Sequence, residues 1–357
     1  MKQLIGSRNL NLTKIKKILT LLTVNISIII LLILGIEGAS RIFFPIEEQK
    51  AIFNDQDLRV RGRPFVEHNP TRGFSLKSNF QNNLYTIDNH GFRITPAAVK
   101  KKPEFTILTL GESTTFGWMV KDNETYPYYL AKDIQTKYPN IKIINGGIPS
   151  YTSSQVLVYL KEILSQKKIH PDMVLINIMW NDIWYSTIKD WHSNILIYQK
   201  PPEWMIFLSK NSHFFQLLRK KMSQSKEEPL TNRFNQEALE YYKHNIEEMI
   251  ALCKDAHVPL AFIEPPLDAD HISKKGLNEF HIRYTKPFLI KMGKTYFNTL
   301  KQVASTKNIS VIEHSLGLKN LHQKTLFLDA LHPTPQGNMI MAEDISKALN
   351  IQNHHLP

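Results

Sequence analysis

The longest apolar stretch of the chain lies near its N-terminus. Residues 18–36 contain no charged side chain and consist mainly of isoleucine and leucine. A helix needs about 20 apolar residues to cross the hydrocarbon core of a bilayer. We therefore predict a transmembrane helix over residues 18–36, preceded by a short basic segment at residues 1–17.

The charges on either side of this stretch predict its orientation. Five basic residues precede it, whereas Glu37, Glu47 and Glu48 follow it together with Arg41 and Lys50. Basic residues are retained on the cytoplasmic side of a membrane helix. The N-terminus is therefore expected in the cytoplasm. The rest of the chain is expected in the periplasm, as a single-pass protein of a bacterial inner membrane.

Two other interpretations of the stretch stay open. Gly38, Ala39 and Ser40 are small residues of the kind that a signal peptidase accepts. The apolar region of a signal peptide usually spans about 7–15 residues, and this stretch is longer, so an uncleaved anchor is favoured. A buried core helix is least favoured, because the flanking segment is basic.

Residues 37–103 predict a stalk or an irregular N-terminal extension. From Phe43 onward they show little apolar periodicity and are rich in Asn, Arg, Gly and Pro. Within them, residues 88–93 have the composition of a turn, with Asn and Gly where a positive φ is needed. His90 and Arg93 are therefore expected to be structural rather than catalytic.

Short apolar runs alternate with helical patterns from residue 104 to residue 350, which indicates βαβ units around a parallel sheet. Strands are predicted at residues 105–110, 141–144, 173–179, 260–263 and 310–312. Helices are predicted at about residues 126–138, 155–166, 235–256 and 288–306. The fold class is therefore α/β, with a doubly wound five-stranded parallel sheet whose ligands bind at the carboxyl ends of the strands.

Residues 181–233 depart from this pattern and are rich in aromatic side chains: Trp184, Trp191, Trp204, Phe207, Phe214 and Phe215. Because this insertion follows the third strand, it is expected over the ligand-binding edge of the sheet. It forms a lid or acceptor groove, a small satellite core, or a surface that rests on the membrane with Lys220 and Lys221 facing head groups. Residues 351–357 are expected to be a frayed tail.

Composition excludes several classes of protein. The formal charge is +12, but the basic residues occur as short pairs and triplets in separate segments, which favours a solvated surface over a nucleic-acid interface. Cys253 is the single cysteine, so neither an intrachain disulfide nor a cysteine-rich zinc site is available. With 42% hydrophobic and 21% charged residues, the chain can form a sizeable globular core.

A candidate nucleophile follows the first predicted strand. Residues 111–117 predict a sharp strand-to-helix turn that exposes Ser113 at the start of a helix. Free backbone N–H groups at a helix N-terminus stabilise an alkoxide or a tetrahedral oxyanion. The alternative is that Ser113 only caps the helix, and the Gly-Glu-Ser motif alone does not decide between the two.

A candidate base lies near the C-terminus. Asp329 and His332 are three residues apart on a short loop, followed by Thr334 as a predicted helix cap and Pro335 at the first helical position. This spacing lets the aspartate accept a hydrogen bond from one ring nitrogen of the histidine while the other nitrogen faces a serine hydroxyl. Otherwise the two side chains are ordinary loop and surface residues.

Together with two shorter motifs, these residues resemble the SGNH hydrolase superfamily, the GDSL-like lipases and esterases. The resemblance covers about residues 106–349, and Pro-Ser-Tyr at residues 149–151 is similar to the membrane-anchored bacterial members. The family usually has Gly-Asp-Ser in its first block, where residues 111–113 read Gly-Glu-Ser. Its fourth block is Asp-x-x-His, which Asp329 and His332 match. The resemblance implies the flavodoxin-like sheet of this family.

The second and third blocks imply an oxyanion hole. In the second block Gly147 is the better match to the glycine of the family. The third block normally reads Gly-x-Asn-Asp, whereas residues 179–182 read Met-Trp-Asn-Asp, so the glycine is missing and Asn181 is retained. The resemblance implies that the N–H groups of Ser113 and Gly147 and the amide of Asn181 bind the oxyanion. Asp182 is expected to support the loop.

The resemblance implies acyl transfer without a metal or an organic cofactor. Ser113 would attack an ester carbonyl with His332 as base, and water would release the acid from the acyl-enzyme. The sequence shows no P-loop, no Rossmann glycine fingerprint and no His-Glu-x-x-His pair.

The substrate is the least determined part of the prediction. We favour an esterase for O-acyl, in particular acetyl, groups of an envelope or extracellular carbohydrate, because the domain is expected to face outward. The alternatives are a lipid-directed esterase or an O-acyltransferase with the same triad, and a noncatalytic envelope scaffold, for which the missing glycine of the third block is the one argument.

Overall fold

The computed structural model describes residues 2–44, 64–97, 99, 102–166, 169–187, 191, 193, 204, 207–208, 211–223, 232, 234–272 and 285–349. The chain divides into two compact units. The smaller unit comprises residues 1–56 and 200–226, and the larger comprises residues 57–199 and 227–357. Within the described residues, every strand belongs to the larger unit.

The helices and strands are numbered in chain order. The strands are β1 (Val66–Asn69), β2 (Gly73–Leu76), β3 (Phe105–Gly111), β4 (Ile141–Gly147), β5 (Met173–Asn177), β6 (Leu260–Ile263) and β7 (Ser310–Ile312). The helices are α1 (Lys2–Phe43), α2 (Ser113–Phe116), α3 (Tyr126–Gln135), α4 (Ser153–Gln166), α5 (Trp180–Tyr185), α6 (His213–Ser223), α7 (Gln236–Asp255), α8 (Lys286–Thr306) and α9 (Pro335–Leu349). Short 3-10 turns lie at Asp122–Glu124, Ala269–His271 and Lys324–Leu326.

The larger unit is built on a parallel sheet of five strands in the order β4-β3-β5-β6-β7. This confirms the predicted doubly wound sheet. The predicted starts of all five strands agree with the structure, but three ends differ, since β3 ends at Gly111, β4 continues to Gly147 and β5 already ends at Asn177. The order reverses at β3, so this strand has β4 on one side and β5 on the other.

Side chains of the sheet alternate between two buried layers, as the pleat requires. On one face Leu108 and Val174 join the core formed with α4, α7 and α8. On the other face Ile107 and Leu175 pack with α3 and α9. A strand buried on both faces reads as a continuous apolar run, which is why the sequence revealed β3 and β5 so directly.

Local capping sets the starts of three helices that flank this sheet. Thr125 Oγ1 accepts a hydrogen bond from the Tyr128 N–H at the start of α3. Asn235 Oδ1 accepts one from the Ala238 N–H at the start of α7. Thr334 Oγ1 accepts one from the Gly337 N–H at the start of α9, which confirms the predicted cap.

Residues 64–97, part of the predicted stalk or irregular extension, are folded into the larger unit and so form an extension of it rather than a separate stalk. The strands β1 and β2 pair as an antiparallel hairpin. Phe65, Phe74 and Phe92 are buried in the same apolar core as the sheet. The sequence signal was weak because these aromatic residues follow neither a period of two nor one of 3.6. Residues 45–63 lie outside the described residues.

Arg93 is the residue that ties this extension to the sheet. Its side chain is fully buried, forms an ion pair with Asp122, and donates to the backbone oxygens of Phe116, Gly117 and Val120. Every partner in this set is part of the framework of the protein, in agreement with the structural role expected from the sequence.

The smaller unit contains α1, whose described stretch from Lys14 to Phe43 has a mean hydropathy of 2.7 and is long and apolar enough to cross a membrane. Length and composition alone support this, and a signal sequence near the N-terminus passes the same criterion. The helix extends beyond the predicted span of residues 18–36 at both ends.

Candidate active site

The site is assembled where three neighbouring strands end. In the sheet register Gly111 at the end of β3 pairs with Gly147 of β4 and with Asn177 of β5. The segments that follow these strands therefore begin side by side at the carboxyl end of the sheet. This edge is also the point where the strand order reverses, the usual ligand-binding position in such folds.

The turn between β3 and α2 presents Ser113. Gly111 has a φ of 153°, and a Cβ atom there would meet the Asn177 backbone oxygen at 2.2 Å, so only glycine fits. Glu112 occupies the N-cap position, and Ser113 is the first residue of the helix. The alternative that Ser113 serves as the helix cap is therefore wrong. Its hydroxyl is free for another partner.

That partner is His332, on the loop before α9. His332 Nε2 lies 2.7 Å from Ser113 Oγ, and His332 Nδ1 lies 2.7 Å from Asp329 Oδ2. The spacing predicted from the sequence thus brings a hydroxyl, an imidazole and a carboxylate into one hydrogen-bonded chain. In the orientation needed for base catalysis, Nδ1–H donates to the carboxylate and Nε2 accepts from the hydroxyl.

The structure holds Asp329 firmly in its place. Its other oxygen, Oδ1, accepts the backbone N–H groups of Leu331 and His332 at 2.8 and 2.9 Å. Burial by itself would raise the pKa of Asp329, but the attraction of His332 and these hydrogen bonds outweigh it, and the pKa is lowered. Asp329 is therefore held as a carboxylate against the Nδ1 side of the His332 ring.

The Gly147 N–H, which the sequence predicts as an oxyanion donor, has an acceptor within the protein. This N–H donates to Asn145 Oδ1 at 3.0 Å. A Cβ atom at position 147 would lie 2.2 Å from the Phe116 backbone nitrogen. Glycine is thus required here because β4 passes close to α2, which is a packing reason.

Ser150, three residues further along, has features that the sequence did not reveal. It is buried and adopts a φ of 67°, a left-handed conformation that is uncommon for a residue other than glycine. Among the described residues, no acceptor is found for its N–H group. Such a conformation at a non-glycine residue, on the loop that follows β4, marks a candidate functional position.

Asn181 lies on the same side of the site. Its Nδ2 donates to the Tyr151 backbone oxygen at 2.9 Å, which leaves one of its two N–H bonds for a further acceptor. This contact connects the start of α5 with the loop that carries Ser150. Asn181 is buried, and its side chain is therefore held by the neighbouring loop.

Hydrogen bonds to Glu112 hold the third block, residues 179–182, in place without the glycine of the family pattern. The Glu112 carboxyl group accepts the Met179 N–H at 2.5 Å and the Asn181 N–H at 3.2 Å, at the start of α5. Met179 has a φ of 168°, which lies outside the left-handed region that favours glycine. The glycine of the family pattern is therefore not needed here, and the residue beside the nucleophile positions the segment that carries Asn181.

Two carboxyl groups are buried together behind this site. Asp182 accepts hydrogen bonds from the Ser153 backbone N–H and hydroxyl, as expected for a residue that supports the loop. Burial raises the pKa of Asp182 to about 7. Burial also raises the pKa of Glu112 well above its usual range, and the nearby Asp182 raises it further. Neither side chain contacts Ser113 or His332 directly.

The segment after β6 supports the loop of the aspartate and histidine. The Asp268 N–H donates to the Ala330 oxygen at 2.9 Å, and Asp268 Oδ1 accepts the Gln323 N–H at 2.9 Å. Asp268 is fully buried. Sequence reasoning missed this support, although Asp268 and His271 have the same three-residue spacing as Asp329 and His332.

Glu264, at the end of β6, gives a prediction for stability against pH. Burial raises its pKa to about 7. Between about pH 4.5 and 7 the folded protein keeps a proton that the unfolded chain has released, so the free energy of unfolding falls as the pH rises. Glu264→Gln should remove this contribution, on the order of 3 kcal/mol above pH 7. Urea unfolding across this pH range measures it.

Glu313, whose charge contributes to the raised pKa of Glu264, gives a prediction of opposite sign. Its hydrogen bond to Lys319 lowers its pKa, so its stabilisation is present above its unfolded pKa and is lost as the pH falls. Glu313→Gln should therefore lower stability at neutral pH and have little effect in acid. If the free energy of unfolding of Glu264→Gln falls with pH as steeply as that of the wild type, the predicted role of Glu264 is wrong.

Comparison with protein families identifies a match to this chain. A sequence model of the GDSL-like lipase/acylhydrolase family matches residues 109–340, nearly two thirds of the chain. No curated protein matches the chain.

Solved structures of low sequence identity are also similar to this chain. They include an acetylxylan esterase from Geobacillus stearothermophilus, determined as a catalytic mutant, at 18% identity, with 70% of this chain and 96% of that chain covered and a TM-score of 0.43. The psychrotrophic esterase EstA from Pseudoalteromonas sp. has 16% identity, coverages of 70% and 99%, and a TM-score of 0.43. LAE5, an alpha/beta hydrolase from the metagenome of Lake Arreo, Spain, has 13% identity, coverages of 71% and 100%, and a TM-score of 0.44.

The matched region contains the turn after β3, the segments after β4 and β5, and the loop before α9. These are the segments that meet at one edge of the parallel sheet. The chain therefore belongs to the GDSL-like lipase/acylhydrolase family, within the SGNH hydrolase superfamily, and is an ester-bond hydrolase.

Proposed function

We propose that this protein is a membrane-anchored serine esterase that removes O-acyl groups, in particular acetyl groups, from an envelope or extracellular carbohydrate. The observation that carries the catalytic part is the hydrogen-bonded chain from Ser113 Oγ through His332 to Asp329, with both distances at 2.7 Å. A serine hydroxyl is a weak nucleophile by itself and needs such a base.

The reaction follows from this arrangement. As Ser113 Oγ bonds to the ester carbonyl carbon, its proton passes to His332 Nε2, and Asp329 stabilises the imidazolium. The tetrahedral intermediate collapses when the ester C–O bond breaks, and His332 gives the proton to the leaving alcohol. Water then attacks the acyl-enzyme, loses a proton to His332, and releases the acid while Ser113 regains its proton.

The oxyanion would be bound by the Ser113 N–H, the Asn181 side-chain amide and the Ser150 N–H, the last in place of Gly147. The Ser113 N–H belongs to the free first turn of α2, where the helix end also favours negative charge. Asn181 contributes the amide N–H that Tyr151 does not accept. Ser150 replaces Gly147 in this proposal, because the Gly147 N–H already has Asn145 as its acceptor.

Asn181→Ala should lower kcat by about 10²- to 10³-fold while KM changes little, because the lost hydrogen bond acts mainly in the transition state. Steady-state hydrolysis of p-nitrophenyl acetate measures both constants. Asn140→Ala is the control, since Asn140 bonds to the exposed Glu104 at the opposite end of the sheet. Equal kcat in wild type and Asn181→Ala would remove Asn181 from the oxyanion hole.

The anchoring part of the proposal is supported by the outer end of α1. Residues 38–40, the candidate peptidase site, lie inside the helix, and Ser40 is buried. Ser40 Oγ also bonds to the Glu37 oxygen and lies 3.1 Å from His213 Nδ1. A peptidase needs an accessible extended segment, so these contacts favour an uncleaved helix with the esterase outside the cytoplasm.

The substrate is tested with acetylated glycans offered to the full-length protein in detergent. Release of free acetate supports the esterase, whereas transfer of acetate to a sugar hydroxyl supports an O-acyltransferase. A lipid-directed esterase is a second candidate, favoured by the exposed aromatic residues Trp204 and Phe207 in the same unit as α1. Hydrolysis of phospholipid esters without release of acetate from any glycan would identify it.

A further inference from the structure

Large hydrophobic side chains are exposed mainly in the smaller unit. In the larger unit the described residues of this kind are Leu328 and Met339. The smaller unit exposes α1 with the adjoining Phe44 and, in the insertion, Trp204, Phe207, Phe214 and Leu218. These four residues are called the aromatic patch below. A soluble protein surface rarely leaves such residues concentrated without a partner.

The helix α6 contributes two members of the patch on one face. Phe214 and Leu218 are four residues apart, so they share a side of the helix, and they are 42% and 40% exposed. The intervening Phe215 and Leu217 are less exposed. The sequence then continues with Arg219, Lys220 and Lys221. An apolar face followed by basic residues is the composition of a helix that lies on an anionic membrane surface.

The start of α6 is attached to the outer end of α1. Glu37 accepts hydrogen bonds from the Ser212 hydroxyl at 2.8 Å and from the N–H groups of His213 and Phe214 at 2.7 and 3.1 Å. Glu37 thus caps α6 from another helix. A further contact joins Arg41 to the Asn211 backbone oxygen at 3.2 Å.

The position of Glu37 along α1 indicates the membrane depth at which α6 is attached. It is the first charged residue after the uncharged stretch of residues 18–36. If that stretch spans the hydrocarbon core, Glu37 lies at the boundary between lipid and water. The attached helix then begins at the membrane–water interface, the region that an interfacial helix enters with Trp, Phe and Leu side chains on its apolar face.

We propose that the aromatic patch inserts into the outer surface of the lipid bilayer, so that α6 lies in the interface plane beside α1 as a second membrane contact. This rests on the proposed anchoring by α1. The occupant is the headgroup and upper acyl-chain region of anionic lipid, which an interfacial helix enters to a depth of about 5–10 Å. In this proposal, part of the aromatic insertion (residues 181–233) contacts the membrane.

The test uses the full-length protein in phosphatidylcholine–phosphatidylglycerol vesicles. Single variants Phe214→Cys and Leu218→Cys are labelled with an environment-sensitive fluorophore. The native Cys253 is buried and does not compete for the label. We expect emission at shorter wavelength than in water, with stronger quenching by lipids brominated near the headgroup than by lipids brominated near the chain end.

Two further labels separate the possible outcomes. Met339→Cys, at a position equally exposed on the larger unit, is the matched control and should not be quenched. Ile28→Cys reports on α1 and should be quenched most by lipids brominated near the chain end. If Ile28 is quenched and both patch labels are not, the patch proposal is wrong while the anchor stands. If Ile28 is also unquenched, the anchoring itself fails.

Burial of the patch by protein would give a different result. Labels at Phe214 and Leu218 that are shielded from water, insensitive to brominated lipid and dependent on protein concentration would indicate contact with a second copy and overturn the proposal. Hydrolysis of p-nitrophenyl acetate is measured in the same vesicles, because it reports on the Ser113 site independently of the membrane contact. A labelled variant that hydrolyses the ester is folded, so its quenching result is decisive.

Discussion

Replacing Ser113 with alanine is expected to lower kcat for ester hydrolysis by roughly 10⁴- to 10⁶-fold. The substitution removes the oxygen that forms the acyl-enzyme, and His332 cannot compensate because it has no nucleophile to activate. In the wild type, the Ser113 hydroxyl lies 2.7 Å from His332 Nε2 and is its hydrogen-bond partner. A fluorophosphonate probe should label the wild type and not Ser113→Ala, and burst-phase kinetics should disappear together with the labelling.

The control for this result is Ser165→Ala. Ser165 is an exposed serine on α4 whose hydroxyl bonds to the Glu162 backbone oxygen, so its loss should leave turnover and labelling unchanged. Thermal unfolding of both variants shows whether the fold is retained. Hydrolysis by Ser113→Ala at a rate near that of the wild type would refute the mechanism, and a wild type that neither labels nor hydrolyses esters would indicate a noncatalytic scaffold.

Asp329→Asn is expected to lower kcat by about 10⁴-fold. The reason lies in the two roles of the carboxylate. Oδ1 accepts the N–H groups of Leu331 and His332, whereas Oδ2 faces His332 Nδ1. The asparagine oxygen should keep the two backbone bonds, so that its NH₂ group faces Nδ1. The imidazole then carries its proton on Nε2 and cannot accept the proton of Ser113.

Asp270→Asn is the matched control for this substitution. Asp270 lies 2.8 Å from His322 Nδ1, which gives a second aspartate–histidine pair, but both side chains are exposed and away from Ser113. Its replacement should leave kcat unchanged. The tautomer of His332 is measured by ¹⁵N NMR of the imidazole, and an unaltered tautomer with unaltered kcat in Asp329→Asn would show that Asp329 does not orient the base.

The proximity of Ser113, His332 and Asp329 could be predicted from the sequence because each residue carries its own local signal. Ser113 follows a buried strand, and Asp329 and His332 have the spacing of a single short loop. The order of the strands in a doubly wound sheet then brings the two segments to one edge. These features depend on residues close together in the sequence and on general rules of topology.

The surroundings of Gly147 could not be predicted, because they depend on contacts between distant segments. The acceptor of the Gly147 N–H is set by the rotamer of Asn145, and the need for glycine at position 147 comes from the approach of Phe116. Neither is visible in a motif. The positive φ of Ser150 carried no signal either, because serine is not a residue type that predicts this conformation.

The attachment of α6 to α1 was equally hidden. Glu37 and Phe214 are 177 positions apart in the chain, and no periodic pattern links a membrane-length helix to one in an insertion. The amphipathic character of residues 213–223 could be read locally. The attachment of α6 to α1 could be identified only from the folded structure.

Burial of Arg93 has a practical consequence for the smallest active fragment. A polypeptide cut at residue 104 would keep the whole triad and the parallel sheet, yet it would lose the guanidinium that holds the carbonyl oxygens of Phe116 and Gly117 and would leave Asp122 without its cation. Breaking a buried ion pair costs about 3–5 kcal/mol, comparable with the total stability of many domains. Soluble versions for crystallisation or screening should therefore start upstream of Phe65.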